Sequence, residues 1–307
     1  MEVLLLSDSF LVKSSIKDYE VFLVDSVVTK LEEVYVAGDC IIIDEIVLKL
    51  NPDLKTAISD KKIIAIEALE KTKSYEGVIP FIDELIKSGF KRNNRIIAIG
   101  GGITQDVSAF IASMLYRGVG WIFFPTTLLG QGDSCIGSKT SINFREFKNQ
   151  LGGFYPPISI FIDPKVLKTL EERDIRSGVG EMAHYYFVSG PEDVDYFEKE
   201  FERALNNQLN LKDLILKSLS IKKGYIEIDE FDKKERIVFN YGHTFGHAIE
   251  SITNYGIPHG VAISFGMDMA NYISWKKEYI TYADFKRARA DIAQAYDSWI
   301  TPSTCWI

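Results

Sequence analysis

Three of the four histidines in this 307-residue chain fall in one stretch near its C-terminal end. It reads Asn240-Tyr241-Gly242-His243-Thr244-Phe245-Gly246-His247-Ala248-Ile249-Glu250, followed after a loop by Pro258-His259-Gly260. The fourth histidine, His184, stands three residues after Glu181. On a helix, His243 and His247 are four apart and share one face. A third histidine and a distant carboxylate could then complete a His/His/Glu set with one open position, the ligand pattern of catalytic zinc. Packing alone is a poor reason to concentrate so scarce a residue.

A second candidate site surrounds Arg95-Ile96-Ile97-Ala98-Ile99-Gly100-Gly101-Gly102-Ile103-Thr104-Gln105-Asp106-Val107, a strand running into three glycines and then a helix. Glycine lets backbone N–H groups approach phosphate oxygens, and the helix N-terminus favours negative charge. A plain strand-to-helix turn accounts for the same residues, and the GxGxxG spacing is absent. Pro125-Thr126-Thr127-Leu128-Leu129 forms a further turn, whose hydroxyls could hold a nucleotide or cap a helix. Lys139, Arg145 and Lys148 cluster in a chain of net charge −8. An acidic protein with a basic pocket suits a small anionic substrate and argues against nucleic acid.

Both constellations need elements to position them. Residues 21–24, 33–36, 41–43, 63–66 and 96–99 are short β-like apolar runs, and 122–124 is a buried strand ended by Pro125. Residues 75–88 space Val78, Ile79, Phe81, Ile82, Leu85 and Ile86 with helical period. This alternation predicts an α/β sheet layered with helices. From about residue 167 the pattern turns helical, over 175–188, 194–206, 211–227, 237–253 and 261–275. The turn Gly153-Phe154-Tyr155-Pro156-Pro157 and a short strand at 158–162 mark the junction. The expected architecture is an α/β domain over 1–165 carrying the glycine-rich turn. A mainly helical domain over 166–307 follows, with any active site in the cleft between them. A 46% hydrophobic content is enough for real cores. Cys40, Cys135 and Cys305 make no CxxC pair and no disulfide framework, pointing to a reducing compartment. The apolar run 1–6 is too short and acidic for a signal peptide, so a soluble, cytoplasmic protein without membrane contact is expected.

Taken in order, these segments resemble the 3-dehydroquinate synthase family and the wider sugar-phosphate cyclases. The resemblance runs from about Asp44 to Trp275. It comprises Gly100-Gly101-Gly102 with Asp106, Tyr116-Arg117-Gly118, Pro125-Thr126-Thr127-Leu128-Leu129, Asp133-Ser134-Cys135-Ile136-Gly137-Ser138-Lys139-Thr140 and Lys148-Asn149. Gly180-Glu181, the 242–247 block and His259-Gly260 close it. The resemblance implies NAD together with Zn²⁺ or Co²⁺, with Glu181, His243 and His259 on the metal. It turns His247 toward the substrate phosphate, where spacing alone made both helix histidines ligands. For NAD it implies Asp44, Glu70, Lys73, Gly101, Gly102, Ile103, Thr104, Gln105, Asp106, Thr126, Thr127, Lys139, Lys148, Val166, Leu167, Lys168 and Thr169. For the substrate it implies Asp133, Lys139, Asn149, Lys222, Arg236, Asn240 and His247. Arg117 looks like the arginine that reaches a neighbouring subunit's phosphate site, implying a homodimer. Read without the resemblance, Lys222 and Arg236 are plain solvated helix charges.

The implied reaction converts a heptulosonate 7-phosphate into a carbocycle. It comprises oxidation by NAD⁺, loss of phosphate, return of the hydride, ring opening and an intramolecular aldol closure, with no net redox. Arg236 suits a substrate carboxylate, since a guanidinium can clamp it bidentately and lysine cannot. Three departures stand out. His184 replaces a family lysine that meets the substrate, and an imidazole there is shorter and only partly charged near neutral pH. It is otherwise an incidental packed histidine or a fourth ligand. Gly132 and Ser138 replace the usual valine and glycine. The family pattern continues beyond this C-terminus, where 299–307 does not match. Two alternatives remain besides other cyclases: an NAD-dependent polyol or glycerol dehydrogenase, and a non-catalytic NAD-binding protein.

Overall fold

The structure is a computed structural model describing residues 8–206, 211–254 and 256–296. It divides into two compact units, Met1–Thr169 and Leu170–Ile307. The expected features at Cys305 and along 299–307 lie outside the described residues.

The first unit is built on β1 (Ser9–Val12), β2 (Tyr19–Leu23), β3 (Cys40–Asp44), β4 (Lys62–Ile66), β5 (Ile96–Gly100), β6 (Trp121–Pro125) and β9 (Ser159–Ile162). These seven form one sheet in the order β1-β2-β9-β6-β5-β3-β4, parallel throughout except for the β1–β2 pair. The IIAIG of β5 and WIFFP of β6 are buried at every position, as expected of parallel strands covered on both faces. In register, Gly100 faces Pro125 across β5 and β6, and Ile43 faces Ile99 across β3 and β5. The glycine turn, the Pro-Thr-Thr turn and Asp44 therefore leave the sheet at the same edge, the carboxyl ends of its strands. That is where open α/β sheets take ligands.

Two expectations here are corrected. Residues 33–36 form no strand, because α1 runs over Val27–Val34. Ser26 caps it by accepting from the Thr29 N–H, and Val27 and Leu31, one turn apart, are buried. Helical spacing wins over the apolar run. An unanticipated hairpin pairs β7 (Lys139–Phe144) with β8 (Phe147–Phe154). Gly153 and Phe154, expected in a turn, belong to β8. Lysines, arginine and glycines dilute the apolar alternation there.

Around the sheet lie α2 (Glu45–Leu50), α3 (Pro52–Ala57), α4 (Tyr75–Lys87) and α5 (Gly102–Met114). The second unit contains α6 (Glu172–Ser189), α7 (Pro191–Asn206), α8 (Leu211–Ile228), α9 (His243–Ile252), α10 (His259–Lys276) and α11 (Tyr282–Tyr296), with no strand among the described residues. The helix expected over 237–253 is broken. A 3-10 turn spans Glu235–Asn240, and Gly242 at φ 83° precedes α9. A side chain at Gly242 would also meet Met267 and the Ile263 carbonyl of α10. The break therefore follows from close packing and a left-handed residue that glycine tolerates.

The α6–α10 crossing is closer still. A Cβ on Gly180 would overlap the Gly260 carbonyl, and one on Gly260 would overlap the Ser177 carbonyl. The Gly260 N–H donates to Ser177 Oγ at 3.0 Å. This backbone-on-backbone contact sets Glu181 beside the start of α10.

Candidate functional site

Glu181 sits mid-α6 at only 4% exposure. The first two turns of α9 carry His243 and His247, and His259 is the first residue of α10. His243 Nε2 lies 3.5 Å from Glu181 Oε1, and His259 Nε2 lies 3.4 Å from Oε2. One ring nitrogen from each of His243, His247 and His259 falls within 4.8 Å of the others. Glu181 Oε2 is buried without a hydrogen-bond partner among the described residues. A buried carboxylate oxygen is seldom left so. Imidazole nitrogens and a carboxylate in this spacing fit a divalent cation such as Zn²⁺ or Co²⁺.

The electrostatics agree with that chemistry. Burial pushes the Glu181 carboxyl up, but the nearby His259 and His243 outweigh it and hold it below the usual carboxylate range. Burial pulls His243 down, and the Glu181 charge more than reverses this, leaving it raised. His247 is depressed by burial and by its histidine neighbours, which favours its neutral form. Sequence spacing had offered His243 and His247 as the helix pair, and the resemblance had substituted Glu181, His243 and His259. The structure brings all four together, with His247 the most exposed of them.

His184 is buried within the protein, its ring 3.9 Å from that of Tyr185 and 5.5 Å from that of His243. Its Nδ1 lies 3.9 Å from Glu181 Oε1. Lys222 and Arg236 are buried, contrary to their plain reading as solvated helix charges. Lys222 Nζ stands 5.8 Å from the Tyr185 ring centroid. Arg236 Nη1 donates to the Glu230 carbonyl at 2.7 Å, and the Asp229 carboxylate accepts from the backbone N–H groups of Lys233, Lys234 and Arg236. Asn240 is exposed at the end of the 3-10 turn. Sequence reasoning missed Glu250, whose Oε2 lies 3.0 Å from His259 Nδ1. Its position seven residues after His243, on one helical face, was the available signal.

In the first unit, Gly101 begins α5 without a side-chain cap, and open space lies where Gly102 would carry a Cβ. The helix N-terminus can thus be approached closely by an anion. Lys73 pairs with Asp106 at 2.6 Å, and Lys148 with Glu70 at 3.3 Å. Burial pushes the Asp106 carboxyl up in spite of Lys73. Asn143, also missed, ties the hairpin to this group. Its Nδ2 donates to Glu70 Oε2 at 2.8 Å, and its Oδ1 accepts from the Asn149 N–H at 3.0 Å. Asp44 caps α2 by accepting from the Ile46 N–H. Gln105 exchanges hydrogen bonds with Ser134. Thr126 and Val166 line a cavity of about 350 Å³ with Ser26, Asn51 and Asp163. Ile103 and Thr104 lie in the first turn of α5, and Thr127 Oγ1 accepts from the Gly130 N–H. Leu167 is buried, and Lys168 and Thr169 are exposed. Asp133 lies in the 130–134 helical turn. Lys139, Asn149 and Arg117 are exposed, Arg117 with φ 66°.

The N-terminal domain of 3-dehydroquinate synthase matches residues 63–177, and its C-terminal domain matches 178–303. A 3-dehydroquinate synthase of Dictyoglomus thermophilum is 41% identical over 232 residues, 75% of this chain and 65% of that protein. The chain thus spans just under two thirds of that relative's length. A 2-deoxy-scyllo-inosose synthase solved with carbaglucose-6-phosphate, NAD⁺ and Co²⁺ superposes with a TM-score of 0.83 at 25% identity, covering 96% of this chain and 83% of that one. A 2-epi-5-epi-valiolone synthase from Streptomyces hygroscopicus, with NAD⁺ and Zn²⁺ bound, gives 0.84 at 25% identity over 94% of this chain and 84% of that one.

Proposed function

The chain belongs to the 3-dehydroquinate synthase family, and from that premise we propose that it is a phosphate-eliminating cyclase acting on a heptulosonate 7-phosphate. One observation carries the reading: Glu181, His243, His247 and His259 converge on a point where a buried carboxylate oxygen lacks a hydrogen-bond partner. NAD and Zn²⁺ or Co²⁺ are its proposed cofactors, as in the two solved cyclases named above. When bound, NAD takes and returns a hydride while the cation polarises the substrate's oxygens.

The chain's own residues bind and orient. Glu181, His243 and His259 hold the cation. His247, neutral by its depressed pKa, contributes a ring N–H to the substrate phosphate. Arg236, its plane fixed by the Glu230 carbonyl, receives the substrate carboxylate, with Lys222 as a second cationic partner. His184 is packed among rings beside Glu181, so anion recognition rests on Lys222, Arg236 and His247. In the first unit Asp44, Glu70, Lys73, Gly101 to Asp106, Thr126, Thr127, Lys148 and the 166–169 segment hold NAD. Asp133, Lys139, Asn149 and Asn240 complete the substrate contacts, and Arg117 contributes across a homodimer. Positioning and charge, more than a strong dedicated base, are what such a site supplies.

The carboxylate clamp favours a keto acid over neutral sedoheptulose or glucose phosphates. The test is phosphate release from 3-deoxy-arabino-heptulosonate 7-phosphate with NAD⁺ and Zn²⁺ or Co²⁺. Release without NADH accumulation is expected. Turnover of sedoheptulose 7-phosphate alone would transfer the chain to another cyclase activity, and net NADH from a polyol would make it a dehydrogenase.

A further inference from the structure

Glu250 has no assigned role, yet it occupies an informative position. It lies on α9 at 8% exposure. Its Oε2 meets His259 Nδ1 at 3.0 Å with hydrogen-bonding geometry. On the opposite side of the same ring, Nε2 lies 3.4 Å from Glu181 Oε2. That oxygen takes no hydrogen bond. A neutral imidazole has one N–H and one lone pair, and the better acceptor geometry decides where the proton resides. Of the two contacts, the one to Glu250 has hydrogen-bonding geometry, which would place the proton on Nδ1 and leave the Nε2 lone pair toward Glu181.

We propose that Glu250 is a positioning residue, fixing the tautomer and plane of His259 so that Nε2 serves as a donor to the cation. The proposal rests on the reading of His259 as a metal ligand. A carboxylate behind a ligating histidine orients the ring and strengthens its donor nitrogen, and such partners typically contribute 10–100-fold to metal affinity. The α9 backbone carries Glu250 together with His243 and His247. One helix thus offers two imidazoles and also aims a third that belongs to α10.

The test uses the full chain and Co²⁺ alone, read by equilibrium dialysis and by the visible d–d spectrum. Glu250→Ala should weaken Co²⁺ binding roughly 10–100-fold and alter the spectrum. Glu250→Gln, which still offers an acceptor oxygen to Nδ1–H, should lose much less. In a His259→Ala background, Glu250→Ala should cause no further loss of affinity, since the group through which it acts is gone. Wild-type affinity and spectrum in Glu250→Ala would overturn the proposal. So would equal losses in both backgrounds, or a loss matched by unfolding of the metal-free Gln variant. Since phosphate release is not the readout, a failed substrate assignment with Co²⁺ binding intact leaves this inference standing.

Discussion

The two candidate sites handle buried charge in opposite ways. Around the glycine turn, the largely buried acid Asp106 has a base in Lys73, while the exposed Glu70 meets Lys148 and Asn143 joins hairpin to loop. Around Glu181, by contrast, three imidazoles crowd one carboxylate, and one of its oxygens is left without a hydrogen bond. The first arrangement is complete as it stands. The second gains its full complement only when a cation is bound. A binding site can thus be part of the scaffold, or it can be a demand that the scaffold imposes.

The largest expected effect tests the second half of that contrast. His243→Ala should weaken Co²⁺ binding by at least about 100-fold, more than typical loss of a supporting partner, while His247→Ala should spare the metal and impair turnover. Metal content after dialysis decides, and equal losses would restore both helix histidines as ligands. Next, Lys73→Ala should cost about 3 kcal/mol in urea unfolding, because it leaves Asp106 buried without its base. If His243→Ala destabilised the metal-free protein as much, the contrast would collapse.

Asp291 sharpens the comparison within the second unit. Burial, then its hydrogen bond with Glu198, pushes it up to about 7. The folded state keeps a proton that the unfolded chain releases near 4. Stability should therefore fall as pH rises from about 4 toward 7, and Asp291→Asn should flatten that slope in metal-free thermal melts. Here a buried acid is accommodated by protonation, whereas Glu181 is accommodated by imidazoles. The smallest effect belongs to Ser138, a non-glycine residue held at φ 61°. Ser138→Gly should raise stability by about 0.5–1 kcal/mol, relieving a left-handed residue. No gain in unfolding midpoint would mean that the hydroxyl compensates for the strain.

The same contrast explains what was legible in the sequence. Histidine is scarce, so its clustering announced the second-unit site, and the uninterrupted apolar runs announced the parallel strands. Lys222 and Arg236 read as ordinary surface charges because burial of a cation depends on what packs around it. Asn143 was invisible for a related reason, since its partner Glu70 lies on another element and a common polar residue stands out only once the fold supplies its neighbour. Glu250 had only its spacing from His243 to announce it. The hairpin and the break at Gly242 were missed because tertiary packing, with little help from local propensity, sets them.

The glycine contact between α6 and α10 has a consequence for cation choice. With backbone resting on backbone at Gly180 and Gly260, no compressible layer of side chains separates those helices. The interval between Glu181 and His259 is therefore stiff, like the fixed jaw of a calliper. His243 enters on α9, and α9 is seated on α10 just as closely, since a Cβ on Gly266 would overlap the Gly242 carbonyl. The gap between the jaws is thus set by backbones in contact, which leaves little tolerance for ions of another radius.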